Sequence, residues 1–93
     1  MLKIKDNVDL KELEKFGFRY NKLYECYERI TDFGLNIITT RIFTRNVNYE
    51  QNQLVCESSV WFDLLFPDER IERLNNDLIS KGLVEKVGDE KWV

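Results

Sequence analysis

The sequence predicts an α+β fold in one small domain: a mostly antiparallel sheet of three to five strands with two helices packed on one face. Two helix-like segments near the chain ends enclose a middle region rich in Tyr, Ile and Thr, which is typical of strands. Short polar turns separate the strand-like segments, and this arrangement favours an antiparallel meander. Because 43% of the 93 residues are hydrophobic, the chain can form one compact core, and residues 1–93 are interpreted as a single domain.

The first helix is predicted in the segment DLKELEKFGF, which starts at Asp9. Asp9 is a suitable N-cap, and Glu12 stands at the spacing of a capping box. One apolar stripe recurs every three residues: Leu10, Leu13 and Phe16. Gly17 is expected to take the left-handed conformation that often ends a helix, with Phe18 as the apolar contact that accompanies it.

Three strands are predicted between Lys22 and Phe62. The first is KLYECYERI, in which Tyr24, Cys26 and Ile30 are expected on one side. A turn at TDFG leads to the second strand, LNIITTRIFTR, and a polar connection leads to the third, QLVCESSVWF.

The second helix is predicted to start at Pro67 and to end at Gly82, with Leu83 as its closing apolar contact. Its core-facing side comprises Ile71, Leu74, Leu78 and Ile79. The terminal pieces, Leu2–Lys5 and Leu83–Val93, are expected to add edge strands. In the last of these, a turn at Gly88-Asp89 would let Trp92 fold back onto apolar surface, so the C-terminus is predicted to close the core.

Several function classes are disfavoured by composition. The chain contains no histidine, which removes the usual general base and the commonest metal ligand. Its four glycines are widely separated, so no phosphate-binding loop is present in the sequence. No apolar run approaches the length of a membrane span, and the charged N-terminus does not resemble a secretory signal. We therefore expect no catalytic, cofactor or metal site, and we expect Cys26 and Cys56 to be buried free thiols.

The candidate binding residues are basic and aromatic. Arg41 and Arg45 flank Phe43 on one alternation face, a pattern that could stack bases and neutralise phosphates. Tyr49 and Trp61 add side chains of the kind enriched in protein interfaces, although packing within the core or the sheet is the commoner reason for such aromatic residues.

The charge distribution argues against nucleic acid as the partner. Residues 63–93 carry five basic and eight acidic side chains, a net charge of −3, and they contain the helix and hairpin that a winged-helix protein would place on DNA. Nucleic-acid binding through Arg41, Phe43 and Arg45, or through the C-terminal hairpin, is kept as the alternative function.

Both ends of the chain resemble small, uncharacterised proteins of phages and prophages of Gram-positive bacteria. The opening LKIKDNVDLKELEKFGF and the closing LNNDLISKGLVEKV carry this resemblance, whereas residues 20–66 have no counterpart in it. The resemblance implies an accessory role inside the host cell and supplies no catalytic or ligand-binding residues.

We therefore predict a non-enzymatic phage or prophage protein that binds another protein in the host cytoplasm. A host enzyme or a defence enzyme is the expected class of partner. A homodimer formed through a sheet edge, or a structural component that associates with itself, is a further alternative.

Overall fold

Two antiparallel sheets form the framework of the chain in a computed structural model, which describes residues 1–59 and 66–88. The larger sheet is a meander of four strands in sequence order: β2 (Arg19–Asn21), β3 (Cys26–Asp32), β4 (Ile37–Phe43) and β5 (Leu54–Ser58). The smaller sheet pairs the strands from the two ends, β1 (Leu2–Ile4) and β6 (Val84–Lys86). The predicted α+β class and the mostly antiparallel sheet are confirmed.

The two sheets join at the start of β5. Lys3 forms an isolated bridge with Gln53, and the Ile4 N–H donates to the Asn52 carbonyl at 2.9 Å. Asn52 has a φ of 67°, a left-handed value that asparagine tolerates better than most residues. The terminal strands β1 and β6 therefore pair with each other in a separate sheet, which a bridge and a hydrogen bond join to the start of β5, and they do not add edge strands to the larger sheet as predicted. The predicted fold-back of Trp92 lies outside the described residues.

The first predicted helix is a 3₁₀ helix, Leu10–Phe16. Its apolar residues recur every three positions, which matches the three residues per turn of a 3₁₀ helix better than the 3.6 of an α-helix. The Asp9 side chain accepts a hydrogen bond from the Lys11 N–H at 3.0 Å, so the predicted N-cap is confirmed. The Glu12 side chain does not complete a capping box, because it accepts from Lys15 Nζ instead.

Both predicted glycine stops are confirmed. Gly17 and Gly82 have φ values of 87° and 73°. In each case the glycine N–H and the N–H of the next residue donate back into the last helical turn, which is the hydrogen-bond pattern of a Schellman motif. Phe18 and Leu83, the residues that follow, pack against the core.

The second helical region is divided, contrary to the single helix predicted after Pro67. Helix α1 spans Asp68–Leu74 and helix α2 spans Asn76–Ser80. Between them Asn75 leaves helical geometry, with φ −122° and ψ 30°. The Asn75 side chain donates to the Ile71 carbonyl at 2.9 Å, and this competition with the helical backbone explains the break.

The first strand of the predicted middle region was misplaced. Residues 22–25 form the turn of the β2–β3 hairpin, and Glu25 has a φ of 51° there. Tyr24 therefore lies in a turn rather than on a strand. Cys26 and Ile30 do share a face of β3, but it is the face away from the helices.

The core lies between the four-stranded sheet and the helices. Its buried residues come from every layer of the described structure: Leu2, Ile4, Leu13, Phe18, Ile38, Ile42, Leu54, Cys56, Phe66, Ile71, Leu78 and Val84. Leu74 and Ile79 pack against this cluster, so the predicted apolar face of the second helix is confirmed. We call the sheet face toward the helices the inner face and the opposite one the outer face.

Candidate functional site

Arg41 lies at the centre of the outer face, between two carboxylates. Its Nε donates to Glu28 Oε2 at 3.3 Å, and one terminal nitrogen donates to Glu57 Oε2 at 2.5 Å. Burial opposes the charge of the guanidinium, but the hydrogen bonds to these two carboxylates outweigh it, and the pKa of Arg41 is raised. Its carbon Cζ also lies 5.4 Å from the centre of the Tyr24 ring. The charge of Arg41 is thus compensated within the fold.

Phe43 and Tyr49 form a small apolar cluster on the same face. Their rings stack with centroids 5.0 Å apart at an angle of 11°, and Phe43 is only 6% exposed. Cys26 and Val55 complete the buried part of this cluster. Phe43 therefore offers little area to a partner and acts mainly as a packing residue.

Arg45 follows β4 at the end of the sheet that carries the β2–β3 turn. With Leu23, Tyr24 and Val47 it lines a surface groove of about 570 Å³. The structure therefore brings Phe43 and Tyr49 into contact, but it places Arg41 between two carboxylates and Arg45 in a separate groove. The fifth predicted binding residue, Trp61, lies outside the described residues.

The two thiols lie on opposite faces of the sheet. Cys26 is on the outer face of β3 and Cys56 is on the inner face of β5, with β4 between them. Two strand spacings separate their backbones by at least about 10 Å, which is beyond the reach of a disulfide. Both thiols are free and buried, as predicted. Burial raises the pKa of each thiol.

Arg29, which the sequence analysis did not single out, is the polar centre of the inner face. It donates to the Phe16 carbonyl at 2.9 Å and to Asn75 Oδ1 at 2.9 Å, and it forms an ion pair with Asp77 at 2.5 Å. Its guanidinium also lies 4.5 Å from the centre of the Phe18 ring. These contacts fasten the 3₁₀ helix and the α1–α2 junction to the sheet, so Arg29 is a structural residue.

An exposed apolar surface lies at the opposite end of the sheet, around the β3–β4 turn. We call it the turn-end patch, and its members, with their exposed fractions, are Ile30 (64%), Phe33 (57%), Leu35 (97%) and Ile37 (39%). Ile30 is paired with Thr39 across the two strands, so Ile30 and Ile37 are diagonal neighbours on the outer face. The turn itself is ordered by hydrogen bonds, since the Phe33 N–H donates to the Asn36 carbonyl and the Gly34 N–H donates to Asp32 Oδ1.

A groove of about 260 Å³ runs from this turn to helix α1, and we call it the arginine groove. It is lined by Phe33, Asn36, Ile38, Leu74, Arg70 and Arg73. The Arg70 guanidinium lies 4.4 Å from the centre of the buried Phe66 ring, which holds it in place. Neither arginine forms an ion pair with any residue in the described ranges 1–59 and 66–88.

Three of the four acidic residues nearest in sequence to these arginines bind other groups. Asp68 pairs with the amino group of Met1 at 2.9 Å, Glu72 with Lys86 at 3.5 Å, and Asp77 with Arg29. Glu69 stands one turn before Arg73, but the described structure has no ion pair between them. The arginine groove therefore combines apolar walls with two guanidinium groups that have no carboxylate partner among the described residues, and such a combination can bind an anionic ligand.

Sequence reasoning missed this site because its parts are distant along the chain. Phe33 precedes Arg70 by 37 positions, and only the fold brings the turn to the helix. One local signal was present: Phe33 and Leu35 are large apolar residues at a turn, where polar residues predominate.

Comparison of the chain with protein-family models, with curated proteins and with solved structures found no match. Within residues 1–59 and 66–88, no group of three or more Cys, Asp or Glu side chains is arranged to hold a metal ion. No helix in the same ranges is long and apolar enough to cross a membrane.

Proposed function

We propose that this protein is a non-enzymatic accessory protein of a phage or prophage, and that it acts in the host cytoplasm by binding another protein. The turn-end patch carries the proposal. The resemblance at the two chain ends supports the biological setting, and the lack of histidine supports a role without catalysis.

The patch has the properties of a protein-binding surface. Its four large, exposed apolar side chains lie in the segment 30–37, on and beside an ordered turn, and clustered exposed apolar side chains are typical of an interaction site. Leu35 is almost fully exposed, and burying a leucine side chain contributes about 1.5–3 kcal/mol. Covering the patch would therefore supply a substantial part of a binding free energy.

The electrostatics favour a protein over a nucleic acid. Arg41 is engaged by Glu28 and Glu57, so a phosphate would have to compete with two carboxylates for it. The chain as a whole carries a formal net charge of −3, which repels a polyanion. These two observations support protein binding over the alternative based on Arg41, Phe43 and Arg45.

The proposal can be tested by capture from a Gram-positive host lysate with three purified baits. The first bait is the wild-type chain, and the second carries Ile30→Thr and Leu35→Ser. The third is a matched control with Leu23→Ser and Val47→Thr, which removes similar exposed apolar area at the other end of the sheet. We expect a protein, identified by mass spectrometry, that the wild type and the control capture and the patch variant does not. Purified, that protein should bind the wild type at least about tenfold more tightly than the patch variant.

Two results would contradict the proposal. Equal capture by the patch variant and the control variant would show that the patch does not bind the partner. A dimer of the wild-type chain in light scattering that Leu35→Ser converts to a monomer would show that the patch serves self-association.

A further inference from the structure

We infer that the arginine groove binds an acidic segment of the partner protein, with partner carboxylates on Arg70 and Arg73 and a partner apolar side chain against Phe33 and Leu74. This inference rests on the proposed function and specifies the chemistry of the partner. It depends on charge complementarity, on the fixed position of one arginine, and on the apolar walls.

The two arginines form a concentrated positive charge. They stand three positions apart on α1, so they are neighbours on one helix face. Like charges at this spacing repel each other, and the carboxylates of Asp68, Glu72 and Asp77 are engaged elsewhere. An anion placed between the two guanidinium groups would relieve this repulsion.

The Arg70 side chain is already held in a position from which it can bind a carboxylate. Its guanidinium stacks on the buried Phe66 ring, and a stacked guanidinium keeps its N–H edges available to accept a planar carboxylate. Because the side chain is already held, less conformational entropy is lost when a partner binds.

The walls select a peptide carboxylate over a nucleic-acid backbone. The groove is bounded by Phe33, Ile38 and Leu74, and Phe33 is also a member of the turn-end patch. A segment in which acidic and large apolar residues alternate would satisfy both features at once. A phosphate backbone would satisfy only the arginines, and the net negative charge of the chain would repel its remaining phosphates.

The test uses the full chain and a labelled peptide of the sequence Asp-Leu-Asp-Phe-Glu-Leu. Its isosteric control, Asn-Leu-Asn-Phe-Gln-Leu, keeps the shape and removes the charge. We expect fluorescence anisotropy to show binding of the acidic peptide that is at least about tenfold tighter than that of the control. The affinity should fall as salt rises, because screening weakens the exposed ion pairs.

The protein variants assign the binding to the groove. Arg70→Gln with Arg73→Gln should weaken binding of the acidic peptide at least about tenfold. Arg19→Gln with Lys11→Gln removes the same charge from two other exposed basic residues and should leave the affinity within about twofold. Circular dichroism and thermal unfolding confirm that each variant is folded.

Three results would overturn the inference. The first is equal binding of the two peptides, and the second is an equal loss in the two double variants. The third is tighter, Arg70- and Arg73-dependent binding of a labelled single-stranded oligonucleotide, which would make phosphate the ligand. If a partner captured through the turn-end patch binds the Arg70→Gln, Arg73→Gln variant normally, the inference fails while the proposed function stands.

Discussion

Replacing Arg29 by methionine should destabilise the protein strongly, because it removes a guanidinium that bonds to the Phe16 carbonyl, Asn75 and Asp77 while keeping an unbranched side chain. Buried Asn75 Oδ1 then loses its donor, and an unsatisfied buried acceptor costs about 1–3 kcal/mol. Loss of the hydrogen bond to the Phe16 carbonyl and of the contact with the Phe18 ring costs roughly 1 kcal/mol each. The pair with Asp77 adds only about 0.5 kcal/mol, because that carboxylate is 45% exposed. We expect a total of about 3.5–5.5 kcal/mol.

Urea unfolding at pH 7, followed by far-ultraviolet circular dichroism, measures this effect. Arg29→Lys keeps the charge near Asp77 but lacks the planar fork, so its loss should be intermediate. Asp77→Asn removes only the exposed partner and should cost less than about 1 kcal/mol.

A small effect would refute the reasoning. If Arg29→Met destabilises the protein no more than Asp77→Asn does, the hydrogen bonds to Asn75 and to the Phe16 carbonyl do not contribute as argued. A domain of this size has about 5–15 kcal/mol of total stability, so the expected loss is large enough to be unmistakable.

Three further predictions concern pH, thiols and backbone conformation. Burial alone would raise the pKa of Asp77, but the hydrogen bonds and charge of Arg29 lower it. The stabilisation from the Arg29–Asp77 pair is therefore complete above about pH 4 and is lost as pH falls through the folded-state pKa of Asp77. The difference in unfolding free energy between wild type and Asp77→Asn should accordingly shrink when measured from pH 6 to pH 3. Cys26 and Cys56 should react with a thiol reagent only on unfolding, and mild oxidation should give no intramolecular disulfide, as non-reducing electrophoresis would show. Gly17→Ala should cost about 1–2 kcal/mol in urea unfolding and Gly17→Asn less, because φ is 87° while an added Cβ would meet only ordinary contact at 3.7 Å.

The local features of the fold were predictable because each depends on neighbouring residues. Asp9 caps a helix because its side chain reaches an N–H two positions later, and Gly17 and Gly82 end helices through their own φ angles. The 3₁₀ geometry was also encoded in the three-residue spacing of the apolar stripe. By contrast, the break at Asn75 depends partly on Arg29, which lies 46 residues away in the sequence.

Which face of each strand meets the helices was harder to predict, because β4 carries large apolar residues on both of its faces. Ile38 and Ile42 face the helices, while Phe43 on the other face is covered by Tyr49 from the following loop. Alternation alone cannot tell which set is covered by helices and which by a loop. The Phe43–Tyr49 contact therefore explains why an aromatic residue beside Arg41 resembled a binding surface in the sequence and is mostly a packing residue in the fold.

The acceptors around each arginine show whether its charge stabilises the fold or is available to another molecule. Arg29 and Arg41 have their acceptors inside the fold, because strand alternation directs one toward the helix ends and the other between Glu28 and Glu57. In the part of the chain that the structure describes, Arg70 and Arg73 have no carboxylate partner although the chain is acidic overall. Removal of the charge of Arg29 or Arg41 should therefore lower stability, whereas removal of the charges of Arg70 and Arg73 should lower partner affinity at nearly constant stability. The sequence shows only that all four are arginines; the acceptor within reach of each guanidinium determines its role.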